Sequence, residues 1–394
     1  MGGKQSGSHG QLVDQIALGV LTKAFPPELV DEAIEATGRR EVRRRRLPAR
    51  VVVYFVLAMC LFRSAGYEEV LRVLSAGLRR GEWDVPCTAA ISRARVRLGP
   101  EPLRELFDRV CHPVATAETA GAWYRRWRLV ALDGTALEVP DTEANAEHFG
   151  RARSDRGAGA FPQVRAVLLA ECGTHVVFGA ALGPFTVSEV ALAERLWGRL
   201  EPGMLVLADR NFPAFRRWRA AKGRGADLLW RVKGNAVLPL CRQLEDGSYL
   251  SQIFEAKDYY QCSDPEHVRV IEYTLDGGSE VYRLITTILD PEQAPARELA
   301  VLYHQRWEIE SLLDELKVHQ GAGSALRSKS PDGVTQEVHG MLLVHHALRQ
   351  LAHLAARSRD VDPDRISFTR TLHAARREVP AQAGFSPRTT GQGP

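Results

Sequence analysis

The sequence predicts an α/β protein: a mixed-sheet core, preceded by an all-helical region and interrupted by a β-rich insertion. Three observations carry this expectation. Residues 11–125 read as a succession of helices. From Arg128 the pattern becomes strand, strand, strand, helix, strand, helix, strand. Residues 235–291 then read mostly as β, and helices follow almost to the end. At 394 residues the chain has room for two or three domains. The expected division is a disordered start (1–10), a helical domain (11–125), a sheet core in two pieces (126–234 and 292–357), the insertion (235–291), and a C-terminal helix with a disordered tail (358–394).

Composition narrows the function. Hydrophobic residues make up 45% and charged residues 25%, as in ordinary globular proteins. The opening MGGKQSGSHG lacks the apolar run of a signal peptide. The longest apolar run, Val51–Phe62, is too short for a bilayer and predicts a buried helix, so no membrane partner is expected. The six cysteines form no C-x-x-C pair, which argues against a disulfide framework or a zinc site and for a reducing cytoplasm. Net charge is +4, and its placement matters more than its sum.

Among the helices, Leu12–Ala24 and Pro27–Thr37 come first, the second ended by Gly38. Arg39–Arg50 then holds seven arginines, Arg43 and Arg44 among them, against one Glu41. Such a cluster is either a phosphate-backbone contact or a solvated loop; the arginines that follow favour double-stranded DNA as the partner. Val51–Leu61 and Tyr67–Leu78 read as core helices and Trp83–Pro86 as a turn. Thr88 is placed to cap a helix through Leu98 with Ile91, Ala94 and Leu98 on one face and Arg93 and Arg97 on another. An arginine-faced helix after a turn resembles the second helix of a helix-turn-helix, as many surface helices also do.

The core begins with the run Leu129–Leu132, which is expected to end at Asp133-Gly134-Thr135, followed by a second strand, Ala136–Val139. Glu143–Gly159 predicts a mobile loop. Gln163–Ala170 and His175–Leu182 predict a hairpin, Ser188–Leu200 a helix capped by Ser188, and Met204–Ala208 a buried strand closed by Asp209. A helix, Phe212–Lys222, and a strand, Asp227–Val232, complete the first piece; Val268–Leu275 and Glu280–Leu289 predict a hairpin in the insertion. Helices at Val334–Arg357 and Ser367–Arg377 close the chain before a Pro/Gly-rich tail.

One stretch, Ala294–Gln320, organises the rest. It reads as a single helix, with Pro295 suited to its first turn and Gly321 to its end. At about 100° per residue, Arg306, Glu310 and Lys317 fall within roughly 60° of Tyr303. Leu302, Ile309, Leu312, Leu313 and Leu316 fill the neighbouring stripe. Alone this is an ordinary amphipathic helix. If the strands ending at Asp133 and Asp209 are adjacent, however, the two carboxylates meet at one sheet edge and this helix delivers Glu310 beside them. Three carboxylates at one point repel one another, and cations remove that repulsion. An all-oxygen set suits Mg²⁺ or Mn²⁺, and two such ions support phosphoryl transfer.

These residues carry a resemblance. Tyr303-His-Gln-Arg306-Trp-Glu-Ile-Glu310, with Lys317 six residues further on, matches the Y-(2)-R-(3)-E-(6)-K signature of the IS-four group of bacterial insertion-sequence transposases of the DDE type. Leu132-Asp133-Gly134-Thr135 and Ala208-Asp209-Arg210-Asn211-Phe212 are similar to the settings of that family's two aspartates, and Phe25–Leu98 resembles its N-terminal DNA-binding region. The resemblance implies an RNase H-like core and a metal-dependent cut-and-paste transposase. In that reading Asp133, Asp209 and Glu310 bind two ions, and Tyr303, Arg306 and Lys317 hold phosphates of the transposon end. Two ends joined in one complex imply a homodimer acting on inverted-repeat ends and target DNA. Water cuts a strand, and the freed 3′-hydroxyl attacks further phosphates, with a hairpin intermediate in some relatives. Tyr282 corresponds to an aromatic that stacks on a flipped base in some relatives, or it simply packs the sheet. Arg231 and Lys233, following a strand end, are further candidate DNA contacts.

Where the family continues into a longer basic region, this chain has the tail Pro380–Pro394. That departure raises a competing expectation, an inactive or truncated relic that occupies transposon ends as a repressor; a separate, weaker alternative is a host nuclease on the same fold without end specificity.

Overall fold

The computed structural model describes residues 20–41, 45–75, 85–154, 157–255, 264–275 and 280–382. Arg43, Arg44, the first nineteen residues and most of the tail lie outside them, as do the expected end of the Tyr67–Leu78 helix and the first half of the Trp83–Pro86 turn.

The helical region holds helices Val20–Ala24, Pro27–Ala36, Ala49–Leu61, Tyr67–Leu74, Thr88–Leu98 and Glu101–Val110. The last was not anticipated. The apolar run forms the expected buried helix: Ala49–Leu61 buries every residue except Arg50, which pairs with Asp31. It lies against the long helix Pro331–Arg357. At the crossing, a Cβ on Gly340 would come within 2.8 Å of Val56 Cγ1 and 3.1 Å of Cys60 Sγ, so glycine is what lets the two backbones approach. Thr88 is not a cap but the first helical residue; the Glu68 carboxylate takes its N–H and its hydroxyl, each at 3.1 Å.

Eleven described strands form the sheet: β1 (Trp123–Tyr124), β2 (Trp127–Glu138), β3 (Arg151–Ser154), β4 (Gly157–Glu171), β5 (Val176–Pro184), β6 (Met204–Ala208), β7 (Asp227–Arg231), β8 (Arg242–Gln243), β9 (Tyr249–Ile253), β10 (Glu266–Thr274) and β11 (Val281–Thr286). Their order is β3-β4-β2-β6-β7-β11-β10-β9-β8, with β5 also on β4 and β1 on β2. Strands β5, β4 and β2 are antiparallel neighbours, whereas β2, β6 and β7 run parallel. This is the mixed sheet of an RNase H-like core. Period-two alternation divides its faces. Leu129 and Ala131 of β2, with Leu205 and Leu207 of β6, join the large core shared with the helical region. Val130, Leu132, Val206 and Ala208 face a second cluster around Trp197, Trp218 and Trp230.

Several expectations need correction. β2 does not end at Asp133. Its antiparallel pairing with β4 continues to Glu138↔Gln163, and only its parallel pairing with β6 stops, at Leu132↔Ala208. The described residues of 143–159 are not a loop: Thr142 caps a helix, Glu143–Phe149, and β3 and the start of β4 follow. The β-rich residues share the sheet of the core, where β11 pairs with β7 at Ile285↔Trp230 and extends it. The segment 294–320 is not one α-helix. It runs as an α-helix (Ala296–Tyr303), a 3₁₀ turn (His304–Trp307), an α-helix (Glu308–Asp314) and a π turn (Glu315–Gln320), and Gly321 stops it as expected.

The helical region and the sheet share one apolar core that reaches from Leu21 to Ala375. Buried polar groups stitch them further. Arg63 pairs with Glu337, and Arg95 donates to Gln336 at 2.7 Å and to Ser328 at 2.9 Å. Arg95 therefore belongs to the interior, unlike its neighbours Arg93 and Arg97, which are exposed.

Candidate active site

The register of two strands builds the site. Leu132↔Ala208 is the last parallel pair of β2 and β6, and the next residue on each strand is an aspartate. Alternation puts Asp133 and Asp209 on the face of Leu129, Ala131, Leu205 and Leu207, the face against which the 296–320 segment packs. Each carboxylate is oriented by a neighbouring amide: Gly134 N–H donates to Asp133 Oδ1 at 2.7 Å, and Arg210 N–H to Asp209 Oδ1 at 2.6 Å.

The third element is anchored by Tyr303. Its side chain is buried, and its hydroxyl donates to the carbonyl of Ala208 at 3.3 Å, one residue before Asp209. The 3₁₀ turn then tightens the backbone and carries Arg306 inward. The Arg306 guanidinium reaches Asp133 Oδ2 with Nη1 at 3.2 Å and Glu310 Oε1 with Nη2 at 3.1 Å. Lys317, half-buried in the π turn, has its ammonium pKa lowered by burial, against the opposing pull of Asp133. Burial raises the Asp133 carboxyl above its usual range; the Gly134 amide and Arg306 oppose this, and Glu189 and Asp209 add to it.

The three carboxylates offer the all-oxygen donors that a hard divalent cation takes, although among the described residues their oxygens are not drawn within 4.8 Å of one another. The donors are all oxygens, a positive group already bridges two of them, and Asp133 bears uncompensated desolvation. Structure thus gathers Asp133, Asp209, Glu310, Tyr303, Arg306 and Lys317. Tyr303 differs from its expected part, since its donor is already used by the Ala208 carbonyl.

The other expected contacts lie elsewhere. Arg231 ends β7 with its guanidinium 4.0 Å from the centre of the Tyr282 ring and pairs with Glu280. Tyr282 stacks on Tyr273 at 5.3 Å and stands 6.4 Å from His304, so it edges the site from β11. Lys233 is exposed beyond the strand end. In the helical region Arg97, with Arg39, Arg40 and Arg45, lines a cleft of about 420 Å³. Arg39 is held by Glu101 and Arg40 by Glu35.

A second polar cluster escaped the sequence reading. Glu315 is buried between His345 Nε2 at 3.0 Å and Arg349 Nε at 2.9 Å; nearby, His175, Glu308 and Asp364 bring a nitrogen and two carboxylate oxygens within 4.8 Å of one another. Burial pushes the Glu308 carboxyl up to about 7, with the Gly173 amide and His175 opposing. The one sequence signal was the pair His345 and Arg349, a turn apart on the long C-terminal helix.

The chain also matches known families. Residues 15–108 match the family described as insertion element 4 transposase N-terminal, and residues 126–346 match the transposase DDE domain. It is 28% identical over 369 residues to transposase InsG for insertion sequence element IS4 of Escherichia coli K12, covering 92% of this chain and 83% of that one. A piggyBac transposase, solved in a synaptic complex with hairpin DNA, aligns over 96% of this chain and 83% of that one at 12% identity, with a TM-score of 0.49. No helix among the described residues is long and apolar enough to cross a membrane. A DDE domain that matches more than half of this chain, behind a matched IS4-type N-terminal region, means that the chain belongs to the IS4 family of DDE transposases.

Proposed function

We propose that Asp133, Asp209 and Glu310 are the catalytic carboxylates of this transposase and hold two Mg²⁺ or Mn²⁺ ions. As a DDE transposase the protein is a DNA-binding enzyme of DNA cleavage and strand transfer, and its family implies a divalent metal. The observation that carries the assignment is the register Leu132↔Ala208, which sets the two aspartates side by side under the helix that bears Glu310. When bound, the ions supply Lewis-acid charge to an attacking hydroxyl and a departing oxygen.

The protein's own residues do the positioning. Gly134 and Arg210 amides fix the aspartates, and Tyr303 pins the catalytic helix to β6. Arg306 bridges Asp133 and Glu310; with cations held by those carboxylates its guanidinium would be free to neutralise a phosphate, together with Lys317. Tyr282, Arg231 and Lys233 line the edge where the DNA end lies. Arg43, Arg44, Arg93 and Arg97 grip the duplex through the helical region. We place the enzyme in the bacterial cytoplasm at the nucleoid, working as a homodimer that joins two inverted-repeat ends and delivers them to target DNA.

The test is a nicking assay on the element's own end sequence. Asp133→Ala and Glu310→Gln each abolish Mg²⁺-dependent cleavage and leave end binding in a gel-shift assay nearly unchanged. Full cleavage by either variant refutes the metal assignment.

A further inference from the structure

We infer that His175, Glu308 and Asp364 form a second cation site, for a first-row divalent transition ion of the zinc or manganese class, which fastens the C-terminal segment to the catalytic helix. The three residues come from separate elements: the turn between β4 and β5, the helix Glu308–Asp314, and the short helix Pro363–Arg365. His175 Nε2 lies 3.3 Å from Asp364 Oδ1 and 3.8 Å from Glu308 Oε2. Ligands about 2.0–2.2 Å from one ion stand roughly 3–4 Å apart, so only a small closure is needed. His175 is 6% exposed, and its Nε2 is buried without a hydrogen-bond partner. A buried polar atom left unpaired beside two carboxylates is what a missing ligand leaves behind.

Charge points the same way. Glu308, Asp364 and Glu315 surround the cluster, and Arg349 is the guanidinium that reaches it. The site is separate from the catalytic one: Glu308 and Glu310 are two residues apart on a helix and point about 200° from each other. An imidazole nitrogen selects against Mg²⁺ and for transition ions. The cysteine pattern excludes a thiolate site and says nothing about an imidazole–carboxylate one.

Without the ion, Arg349 Nη2 donates to His175 Nδ1 at 2.6 Å, so the ring hydrogen sits on Nε2. With the ion, the ring hydrogen would sit on Nδ1, so Arg349 Nη2 would have to release Nδ1, leaving Nδ1–H to face Glu315 Oε1, now 3.5 Å away, while Arg349 keeps its Nε bond to Glu315 Oε2. Glu315 thereby orients the liganding ring from behind.

The experiment uses the full chain carrying Asp133→Asn and Asp209→Asn, which disables the catalytic site, so its result does not depend on that assignment. The protein is stripped with a chelator and titrated with Co²⁺ as a spectroscopic probe, and bound Zn²⁺ and Mn²⁺ are counted after gel filtration. One ion per chain, a visible Co²⁺ band displaced by Zn²⁺, and a raised melting temperature are expected. Adding His175→Gln, or the more conservative Asp364→Asn on the half-exposed segment, lowers Co²⁺ affinity at least about tenfold with an unchanged circular dichroism spectrum. No retained ion in the parent protein, or equal uptake by both variants, overturns the site.

Discussion

Replacing Arg306 by methionine removes a guanidinium that touches two of the three carboxylates proposed as catalytic, Asp133 and Glu310. Asp133, whose side chain is 22% exposed, loses a charge-assisted hydrogen bond worth about 1.5–3 kcal/mol. Glu310, at 43% exposed, loses a surface pair worth about 0.5 kcal/mol. Removing the desolvation of a buried cation returns part of this, which leaves a loss of about 2 kcal/mol in the metal-free protein. Mg²⁺ changes the comparison. In the native enzyme the ion must displace the guanidinium, whereas in the variant it enters freely, and ligand binding to the folded state adds stability in proportion to the logarithm of its saturation. Urea unfolding in chelator and then in saturating Mg²⁺ checks this: the gap between variant and native enzyme shrinks to under about 1 kcal/mol with the ion. The variant still cleaves poorly, because a phosphate contact is lost. An equal gap with and without Mg²⁺ refutes the idea that guanidinium and metal compete for the same carboxylates.

Glu315→Gln breaks a buried pair with Arg349 and loses about 3–5 kcal/mol in urea unfolding. Burial alone would raise the Glu315 carboxyl, but His175, His345 and Arg349 outweigh it and hold it far below its usual range. A depressed carboxyl contributes stability that is complete above its unfolded value of about 4.3 and is lost as the pH falls toward its folded value. Melting temperature measured from neutral pH downward therefore falls more steeply below about pH 5 in the native protein than in Glu315→Gln. Gly340→Ala forces a methyl group against Val56 and Cys60 and destabilises by about 1–2 kcal/mol, despite alanine's better helix propensity; a raised melting temperature contradicts the close crossing. Tyr303→Phe deletes the bond to the Ala208 carbonyl and loses about 1 kcal/mol of stability. A cleavage defect far larger than that loss accounts for would return the hydroxyl to the phosphate role implied by the family signature.

Much of the site was legible because it obeys local rules. Met204–Ala208 is a continuous apolar run closed by an aspartate, and the strand forms at those residues. Ser188 and Gly321 end their elements as their chemistry dictates; a Cβ at 321 would lie 2.5 Å from the Lys317 carbonyl oxygen. The strand boundary at Asp133 was misread because Asp-Gly favours a turn in isolation. Nine antiparallel partners along β4 hold the backbone extended and override that preference. The break at His304–Trp307 was hidden for a related reason. Nothing in the residues 303–308 forbids an α-helix, and what tightens the turn is the docking of Tyr303 on β6 and of Arg306 on Asp133.

By itself the sequence singled out the residues proposed to carry the chemistry: two aspartates after apolar runs, and a glutamate spaced along one segment from a tyrosine, an arginine and a lysine. Those are matters of residue type and spacing, written along the chain. The tertiary structure alone decided that β2 and β6 are parallel neighbours in the register that brings Asp133 beside Asp209. It also decided that Arg306 bridges the carboxylates, that Arg95 is buried while Arg93 is not, and that His175 meets Glu308 and Asp364. Each of these joins residues far apart in the chain. Their meeting depends on which apolar faces pack together, and local propensity carries no information about that.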